Sequence, residues 1–339
     1  MSEAVFPVFG AAFVMVVVLP LCALLARLAV GGLEARSGGS LHGLNARFLV
    51  LVGSSMVPVA WLLSAGLHQA ESGRSIVACL LDHDLAEACL EPGFFALVLG
   101  LILVGCGLRP LSRRSRCTPS TSARAAAVRH RIDCLLRREP TLGGLKARVW
   151  ITEEPGFAIA AEGLLNPSIV VGAAFAERLS DASLVAAIRH EAEHVTSRDP
   201  LRYLVLELTL AANPFGSWLL KAPVSRWLRA REVHCDREAV LEGAAPLPLA
   251  EAILFAARPR SFDAAGLGPH DAAVLRFRVE LLCAFAEAPP NRCCKGPVPV
   301  FTSIFALLAV ALMLPHQAGT AALDVLHIGA EYAAALLWR

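Results

Sequence analysis

Two long uncharged stretches constrain the fold of this chain more than any other feature of its sequence. Residues 5–26 and 48–67 contain no charged side chain, and about 20 apolar residues are enough for a helix to cross the hydrocarbon core of a bilayer. The composition agrees, because 56% of the 339 residues are hydrophobic, 18% are charged and the mean hydropathy is +0.57. Soluble domains contain about 25% charged residues. The sequence therefore predicts an integral membrane protein.

Two further apolar segments, residues 94–108 and 298–314, bring the prediction to four membrane spans. The first run is predicted to be a retained span and not a cleaved signal peptide, because no basic residue precedes it and it is too long for a signal-peptide core. The spans divide the chain into an N-terminal membrane region (1–108), a central domain (109–297) and a C-terminal region (298–339). We expect a mainly α membrane protein whose last region holds the fourth span and an amphipathic helix.

The distribution of charge predicts how the chain is oriented in the membrane. Residues 109–148 contain 11 Lys or Arg against two acids, and the short Gly- and Ser-rich loop 27–47 is flanked by arginines. Such segments favour the cytoplasmic side. The loop 68–93 has five acids and one arginine, so we expect this loop and the N-terminus outside and the central domain in the cytoplasm. Cys79 and Cys89 in the outer loop either form a disulfide or remain free thiols.

The central domain begins with a helical pattern followed by short strands. Residues 123–138 are predicted to form a basic amphipathic helix at the membrane surface. Residues 148–152 and 168–171 are predicted strands, separated by Pro-, Gly- and Asn-rich turns. An edge strand in this small sheet would bind an extended peptide by strand addition. A sheet that serves only for packing is equally compatible with the pattern.

The strongest chemical signal is the sequence HEAEH at residues 190–194. On a helix, residues i and i+4 lie on one face, so His190 and His194 can bind one metal ion. Glu191 then lies beside the metal, where it can take a proton from a bound water. Asp181 is the predicted N-cap of this helix. The alternative is a solvated helix face that bears two ordinary histidines.

A second segment supplies the ligand that two histidines lack. Two His, one Glu and an open water position form a known hydrolytic zinc site. Glu232, on a later predicted helix, is the candidate third ligand. Asp236 lies one turn further along the same face and is predicted to accept the second ring N–H of a ligand histidine, which fixes the tautomer of that ring. The two segments together predict a catalytic zinc centre.

These motifs give the chain a resemblance to a known family. The HEAEH sequence together with E-x-x-C-D, formed by Glu232, Cys235 and Asp236, resembles the membrane-embedded gluzincin peptidases typified by the β-lactam-sensing antirepressor proteins of bacteria. The resemblance extends over roughly residues 94–320. The sensing members carry a large penicillin-binding domain outside the membrane after the last span. This chain ends too early to include one, so we do not expect β-lactam sensing.

The resemblance implies a site, an activity and a location. It implies Zn²⁺ bound by His190, His194 and Glu232, with Glu191 as catalytic base, in a cytoplasmic α+β gluzincin-like domain between spans three and four. The implied activity is hydrolysis of a protein substrate, such as a transcriptional repressor, by a multi-pass protein of the bacterial inner membrane. Direct nucleic-acid binding is not expected, because topology and anionic lipid explain the polybasic segment. The sequence leaves open whether a homodimer forms.

Two other functions fit the same motifs. One is a membrane quality-control or prenyl-protein peptidase, which gains support if residues 201–220, a predicted hairpin broken at Asn213 and Pro214, insert in the membrane. The other is a non-catalytic membrane transducer with a structural zinc site, although such sites usually have four protein ligands. His234 and His270 are candidates for an acid or a transition-state stabiliser, but their spacing does not require either role.

Overall fold

The computed structural model describes residues 14–37, 40–71, 119–139, 149–257 and 269–290, together with residues 101, 104 and 105. Within these ranges the protein is mostly helical and contains one small three-stranded sheet, which confirms the predicted fold class at this level. The chain forms two compact units. The first comprises residues 1–113, 205–227 and 296–339, and the second comprises residues 114–204 and 228–295.

The first unit contains two long N-terminal helices. A π-helical turn, Val14–Val18, leads into α1 (Leu19–Ser37), and α2 spans Leu41–Glu71. Among the described residues, one helix, Val16–Arg36, is long and apolar enough to cross a membrane, as judged by length and composition. Helix α2 covers the second predicted span. The fourth predicted span, the outer-loop cysteines and most of the third span lie outside the described residues.

The predicted loop between the first two spans is mostly helical, so that prediction is wrong. Helix α1 continues to Ser37, and α2 begins at Leu41. Packing within the first unit overrides the weak helix propensity of the glycines in this stretch, because Val30 is completely buried. Glu34 also pairs with Arg47 at 3.5 Å and with Arg226 at 3.0 Å.

The second unit contains the sheet. Its strands are β1 (Val149–Thr152), β2 (Ile159–Glu162) and β3 (Ser168–Gly172), in the order β1-β3-β2. Strand β3 is parallel to β1 and antiparallel to β2. This confirms the two predicted strands, and β2 is an additional strand at one edge. The sequence of β2, IAAE, has low β-propensity and no alternation of apolar and polar residues.

Helices account for most of the rest of the described chain. Before the sheet comes α3 (Ala123–Arg137). After it come α4 (Ala173–Arg178), α5 (Asp181–Thr196), α6 (Asp199–Ala212), α7 (Gly216–Leu219), α8 (Lys221–Leu241), α9 (Pro246–Ala256) and α10 (Pro269–Glu287). Helix α6 ends immediately before Asn213 and Pro214, which confirms the predicted break.

Helix α3 is amphipathic as predicted, but its apolar face is buried within the second unit. Val128, Ile132 and Leu136 belong to the same apolar core as the sheet and α5. Arg131 donates hydrogen bonds to the carbonyl oxygens of Ala176 and Leu179 at the end of α4. The apolar face on which the predicted membrane-surface location depended is therefore covered by the helix's own domain.

Helix α5, which carries HEAEH, is buried on two sides. One side enters the core formed with α3 and the sheet and includes Leu184, Ala187, Ile188, Ala192 and Val195. On another side, Ala186 packs in a second core with residues of α8, α9 and α10. Full burial of a side chain such as Ile188 stabilises the fold by about 1.5–3 kcal/mol. The HEAEH motif therefore lies on a helix that is held by two apolar cores.

The N-cap of α5 is Ser180. The predicted N-cap, Asp181, lies one residue too late, so that prediction is wrong. Ser180 has extended backbone angles, and its Oγ accepts a hydrogen bond from the amide of Ser183 at 3.1 Å. A hydroxyl at this position satisfies one of the free amides of the first turn. Asp181 is the first helical residue, where its charge is still favourable at the positive end of the helix dipole.

Candidate metal centre

The two histidines of the motif face each other from successive turns of α5. Both side chains are buried, and their Nε2 atoms lie 3.2 Å apart. The rings meet edge to face, with centroids 4.9 Å apart. The i, i+4 spacing accounts for this arrangement, as the sequence predicted.

Glu232 on α8 lies opposite the two histidines. Its Oε2 is 3.5 Å from His190 Nε2, and its Oε1 is 3.5 Å from His194 Nε2. Ligand atoms bound to zinc at 2.0–2.1 Å in a tetrahedral arrangement lie about 3.3 Å from one another. The spacing of these three groups therefore fits a metal ion of this size. Within the described residues they form one of two clusters that could hold a metal.

Each of the two histidines has a buried carboxylate beside its other ring nitrogen, Nδ1. His190 Nδ1 lies 2.9 Å from Asp236 Oδ1, and His194 Nδ1 lies 2.7 Å from Asp199 Oδ2. The His194 contact has hydrogen-bond geometry, whereas the His190 contact is less well aligned. Both carboxylates favour the tautomer with a proton on Nδ1, which leaves Nε2 free to bind a metal. Asp236 has the position predicted for it.

Asp199 reaches His194 through a sharp turn between α5 and α6. Ser197 caps the end of α5, and Arg198 adopts a left-handed conformation with φ of 54°. Few non-glycine residues adopt this conformation. It reverses the chain so that Asp199, the first residue of α6, returns toward the histidine face. Sequence spacing alone does not identify this contact, because it depends on the conformation of one turn residue.

A completely buried arginine, Arg231, and a mostly buried one, Arg278, bind these carboxylates in turn. Arg231 Nε donates to Asp199 Oδ2 at 2.6 Å. Arg278, on α10, donates from Nε and Nη2 to the two oxygens of Asp236 at 2.7 and 2.8 Å. The site therefore contains two chains of contacts with the same order of arginine, aspartate and histidine. Neither arginine was predicted, because no motif spacing links either one to the histidines.

Tyr203 is a further polar group at the centre that the sequence did not indicate. Its hydroxyl lies 3.4 Å from Glu232 Oε1 and 3.4 Å from His194 Nδ1. Burial raises the pKa of Tyr203 above its ordinary value, and the charge of Glu232 adds to this effect. The phenol therefore stays protonated and can donate to the Glu232 carboxylate.

Glu191 is not part of the cluster that could hold the metal. Its Oε2 accepts a hydrogen bond of 2.8 Å from the backbone amide of Ala161 in β2. Because β2 is an edge strand, this amide points away from the sheet. This hydrogen bond attaches the Glu191 carboxylate to the outer edge of β2.

The charges of the centre favour protonated histidines over neutral ones. Burial lowers the pKa of His190, but Asp236 and Glu232 outweigh burial and raise that pKa to about 10. Burial also opposes ionisation of Glu232, yet the two histidines hold the pKa of Glu232 well below its usual range. Protons and a metal ion therefore compete for the same histidine nitrogens.

A second cluster that could hold a metal consists of His194, Asp199 and Cys235. Burial raises the pKa of the Cys235 thiol well above its ordinary value, so the thiolate form that binds metals is disfavoured. Asp199 Oδ2 already accepts from His194 and Arg231. The cluster of His190, His194 and Glu232 is therefore the better metal site.

Two further histidines, His234 and His270, are the sequence's candidates for an acid or a transition-state stabiliser. His234 is buried on α8, and burial together with the nearby charge of Arg231 lowers its pKa to about 4. A histidine that is neutral at pH 7 is a poor electrostatic stabiliser of an anion. The side chain of His270 lies outside the described residues.

No family model, curated protein or solved structure matches this chain. The geometry of the metal centre is therefore the basis on which a function is assigned.

Proposed function

We propose that the protein is an integral-membrane zinc metalloendopeptidase that cuts a protein substrate in regulatory signalling, such as repressor cleavage. The observation that carries this proposal is the convergence of His190, His194 and Glu232 within 3.5 Å of one another. Glu191 lies beside them but faces the edge strand. In keeping with the charge distribution, we place the domain on the cytoplasmic side of a bacterial inner membrane.

The donor set supports zinc at a catalytic site. Two imidazole nitrogens and one carboxylate are typical ligands of hydrolytic zinc, and three protein ligands leave one position for water or substrate. Structural zinc sites usually have four protein ligands. The carboxylates beside both Nδ1 atoms agree with this assignment, because histidine ligands of zinc commonly donate that N–H to an oxygen.

The residues around the centre are suited to peptide hydrolysis. A zinc ion bound there would polarise the scissile carbonyl and lower the pKa of a water to about 7. Glu191 then takes the proton of the attacking water and passes it to the leaving amine. The outer edge of β2 pairs with an extended substrate through backbone groups other than the Ala161 amide, which donates to Glu191. Glu191 is hydrogen-bonded to this edge. The strand therefore fixes the position of the base relative to the substrate backbone.

A second candidate is a membrane quality-control or prenyl-protein-type zinc peptidase, whose zinc chamber lies among its helices. Supporting it, residues 205–227 belong to the unit that contains the apolar N-terminal helix. Within that unit, Asn213 Nδ2 donates to the carbonyl of Leu19, and Trp227 Nε1 donates to the carbonyl of Leu44. This candidate predicts faster cleavage of membrane-inserted substrates than of soluble unstructured ones. Repressor cleavage predicts the reverse.

The test compares the full-length wild type with Glu191→Gln and His190→Ala in detergent. Zinc content is measured for each, and cleavage of the chain itself and of an added unstructured protein is followed by intact mass and gel. We expect about one zinc in the wild type and in Glu191→Gln, little in His190→Ala, and cleavage by the wild type alone.

Two results would contradict the proposal. Absence of zinc from the wild type would remove its basis. Equal behaviour of zinc-loaded wild type and Glu191→Gln toward both soluble and membrane-inserted substrates would favour a non-catalytic transducer with a structural zinc site.

A further inference from the structure

We propose that Arg278 is a positioning residue for the metal centre, which fixes the third ligand, Glu232, and the carboxylate that orients His190 relative to each other. This inference rests on the proposed zinc site. It assigns a role to a helix, α10, that contributes no metal ligand. It also explains why α8 can present two carboxylates to one site.

Arg278 binds both acidic residues of α8 at once. Its Nε and Nη2 atoms donate to the two oxygens of Asp236 at 2.7 and 2.8 Å. Its Nη1 lies 3.1 Å from Glu232 Oε2, the oxygen that faces His190. A carboxylate oxygen can accept a hydrogen bond and bind a metal at the same time, because each oxygen has two lone pairs. The contact with Arg278 therefore leaves Glu232 available as a ligand.

Without Arg278, the two carboxylates would repel each other. Glu232 and Asp236 lie at i and i+4 on one helix, where like charges are neighbours and destabilise the helix. The repulsion is strong here because the Asp236 side chain is completely buried and would keep only its contact with His190, and removing one partner of a buried charge is costly. We expect the Glu232 carboxylate to move away from Asp236, and thus from the histidines, when the arginine is lost.

The planar guanidinium suits this task better than an ammonium group would. Two of its N–H groups donate to the Asp236 carboxylate and its third nitrogen lies 3.1 Å from a Glu232 oxygen, an arrangement that matches the fixed fork of arginine. A lysine provides a compact charge on a flexible chain and cannot hold three oxygens in this arrangement. The Arg278 side chain is 14% exposed, so little water is available to replace the lost contacts.

The helix that carries Arg278 is anchored independently of the metal centre. Leu282, one turn beyond the arginine, is completely buried in the core that α10 shares with α5, α8 and α9. Val279 packs against the same core. The guanidinium is therefore presented from a fixed element, as a positioning residue requires. Arg231 differs in this respect, because it lies on α8 itself, next to Glu232.

Arg276 offers a matched control on the same helix. It lies two residues before Arg278, is 80% exposed and pairs with Glu280 on the surface. Substitutions of Arg276 change the charge and the sequence of α10 as much as those of Arg278. They leave the contacts of the metal centre intact.

The test measures zinc affinity of the full-length chain in detergent, by competition with a chelator, with zinc alone as the probe. The variants are Arg278→Lys, Arg278→Gln, Arg276→Lys and Arg276→Gln. We expect both Arg278 variants to bind zinc roughly 10–100-fold more weakly than the wild type, with Lys less impaired than Gln, since losing groups that orient ligands has effects of this size. The Arg276 variants should bind zinc like the wild type. Folding is checked by circular dichroism and cooperative melting.

Each other outcome has a definite meaning. Wild-type zinc affinity in a folded Arg278→Lys variant would overturn the inference and leave the proposed function intact. An Arg278→Lys variant that unfolds would also count against it, because the role of the arginine would then be structural. A wild type that binds no zinc would overturn the proposed function, and this inference with it.

Discussion

Asp199 Oδ2 lies 2.7 Å from His194 Nδ1, although a helix end and a left-handed residue separate the two along the chain. The same oxygen accepts a hydrogen bond from Arg231 at 2.6 Å. Asp199 therefore connects a histidine of the candidate metal site to a completely buried arginine. It has two roles, since it orients the ring of His194 and balances the charge of Arg231.

Replacing Asp199 by asparagine should weaken zinc binding and destabilise the fold. The amide can still contact His194, but it no longer favours the protonated Nδ1 or neutralises Arg231. We expect zinc affinity to fall roughly 10–100-fold. Because Arg231 would lose one buried partner, unfolding free energy should fall by about 3–5 kcal/mol. Chelator competition and denaturant unfolding measure the two effects.

Asp181→Asn is the matched control for this substitution. Asp181 is also the first residue of a helix, but its side chain is 60% exposed and pairs with Arg131 at the surface. Such pairs contribute about 0–1 kcal/mol, and the residue is remote from the centre in sequence and contacts. If Asp199→Asn had no larger effect than Asp181→Asn on zinc affinity, the role given to Asp199 would be wrong.

Zinc affinity should rise with pH through and beyond neutrality. Nearby carboxylates outweigh burial and raise the pKa of His190 from 6.5 to about 10, so zinc must displace a proton from this ring at pH 7. The apparent affinity should increase roughly tenfold per pH unit between pH 6 and 8 for each proton displaced. Chelator competition, corrected for the titration of the chelator, measures this slope. An affinity that levels off above about pH 7 would indicate an ordinary histidine pKa.

The stability of the zinc-depleted protein should fall as pH rises, whereas zinc affinity should rise. A histidine whose folded pKa is raised stabilises the fold fully below its unfolded pKa of 6.5, and this contribution is lost as pH rises through about 10. After zinc is removed with a chelator, the melting temperature should therefore fall from pH 6.5 toward pH 10. Added zinc should reduce this fall, because the metal takes the place of the proton.

The histidine pair of the candidate site could be placed from the sequence because the proposed chemistry requires a fixed local spacing. His190 and His194 are one helical turn apart, and Asp236 follows Glu232 by the same interval, so periodicity places each pair on one face. Arg278 could not be found in this way. Its position depends on how α10 packs against α8, and no local pattern encodes the contact between two helices.

The fold errors have a similar origin in packing that local pattern does not reveal. Residues 123–138 have the pattern of a surface-seeking helix, but Ile132 and its neighbours pack into the core of the second unit. Strand β2 is Ala-rich and pairs with β3 although its own sequence favours a strand weakly. The glycines of α1 favour a loop, yet the packing around Val30 keeps that stretch helical. In the strand and in the glycine-containing helix, tertiary contacts outweigh local propensities of up to about 1 kcal/mol per residue.

Ser180 should contribute more to the stability of α5 than Asp181 does. The Oγ of Ser180 accepts from the amide of Ser183, and loss of such a cap costs about 0.5–2 kcal/mol. Asp181 contributes an exposed ion pair and a favourable dipole interaction, each below about 1 kcal/mol. Denaturant unfolding of Ser180→Ala and Asp181→Ala compares them directly. If Asp181→Ala lowered the unfolding free energy more than Ser180→Ala does, Asp181 would be the more important cap, as the sequence predicted.

Replacing Ala161 by proline should impair cleavage while leaving zinc binding unchanged. Proline lacks the N–H that donates to Glu191 Oε2 at 2.8 Å. That N–H points away from β3, and proline is tolerated on the outward side of an edge strand. We expect zinc affinity like that of the wild type and a turnover number lower by at least about tenfold, because small displacements of a catalytic group have effects of this size or more.

Ala160→Pro provides the contrast for this prediction. In the antiparallel pair, Ala160 is opposite Val170, and alternation along the strand turns its N–H toward β3. This proline should therefore remove a hydrogen bond of the sheet and lower the melting temperature more than Ala161→Pro does. If Ala161→Pro cleaved substrate at the wild-type rate, the hydrogen bond between β2 and Glu191 would have no part in positioning the base. If it lost zinc as well as activity, the effect would come from a distorted site and not from Glu191.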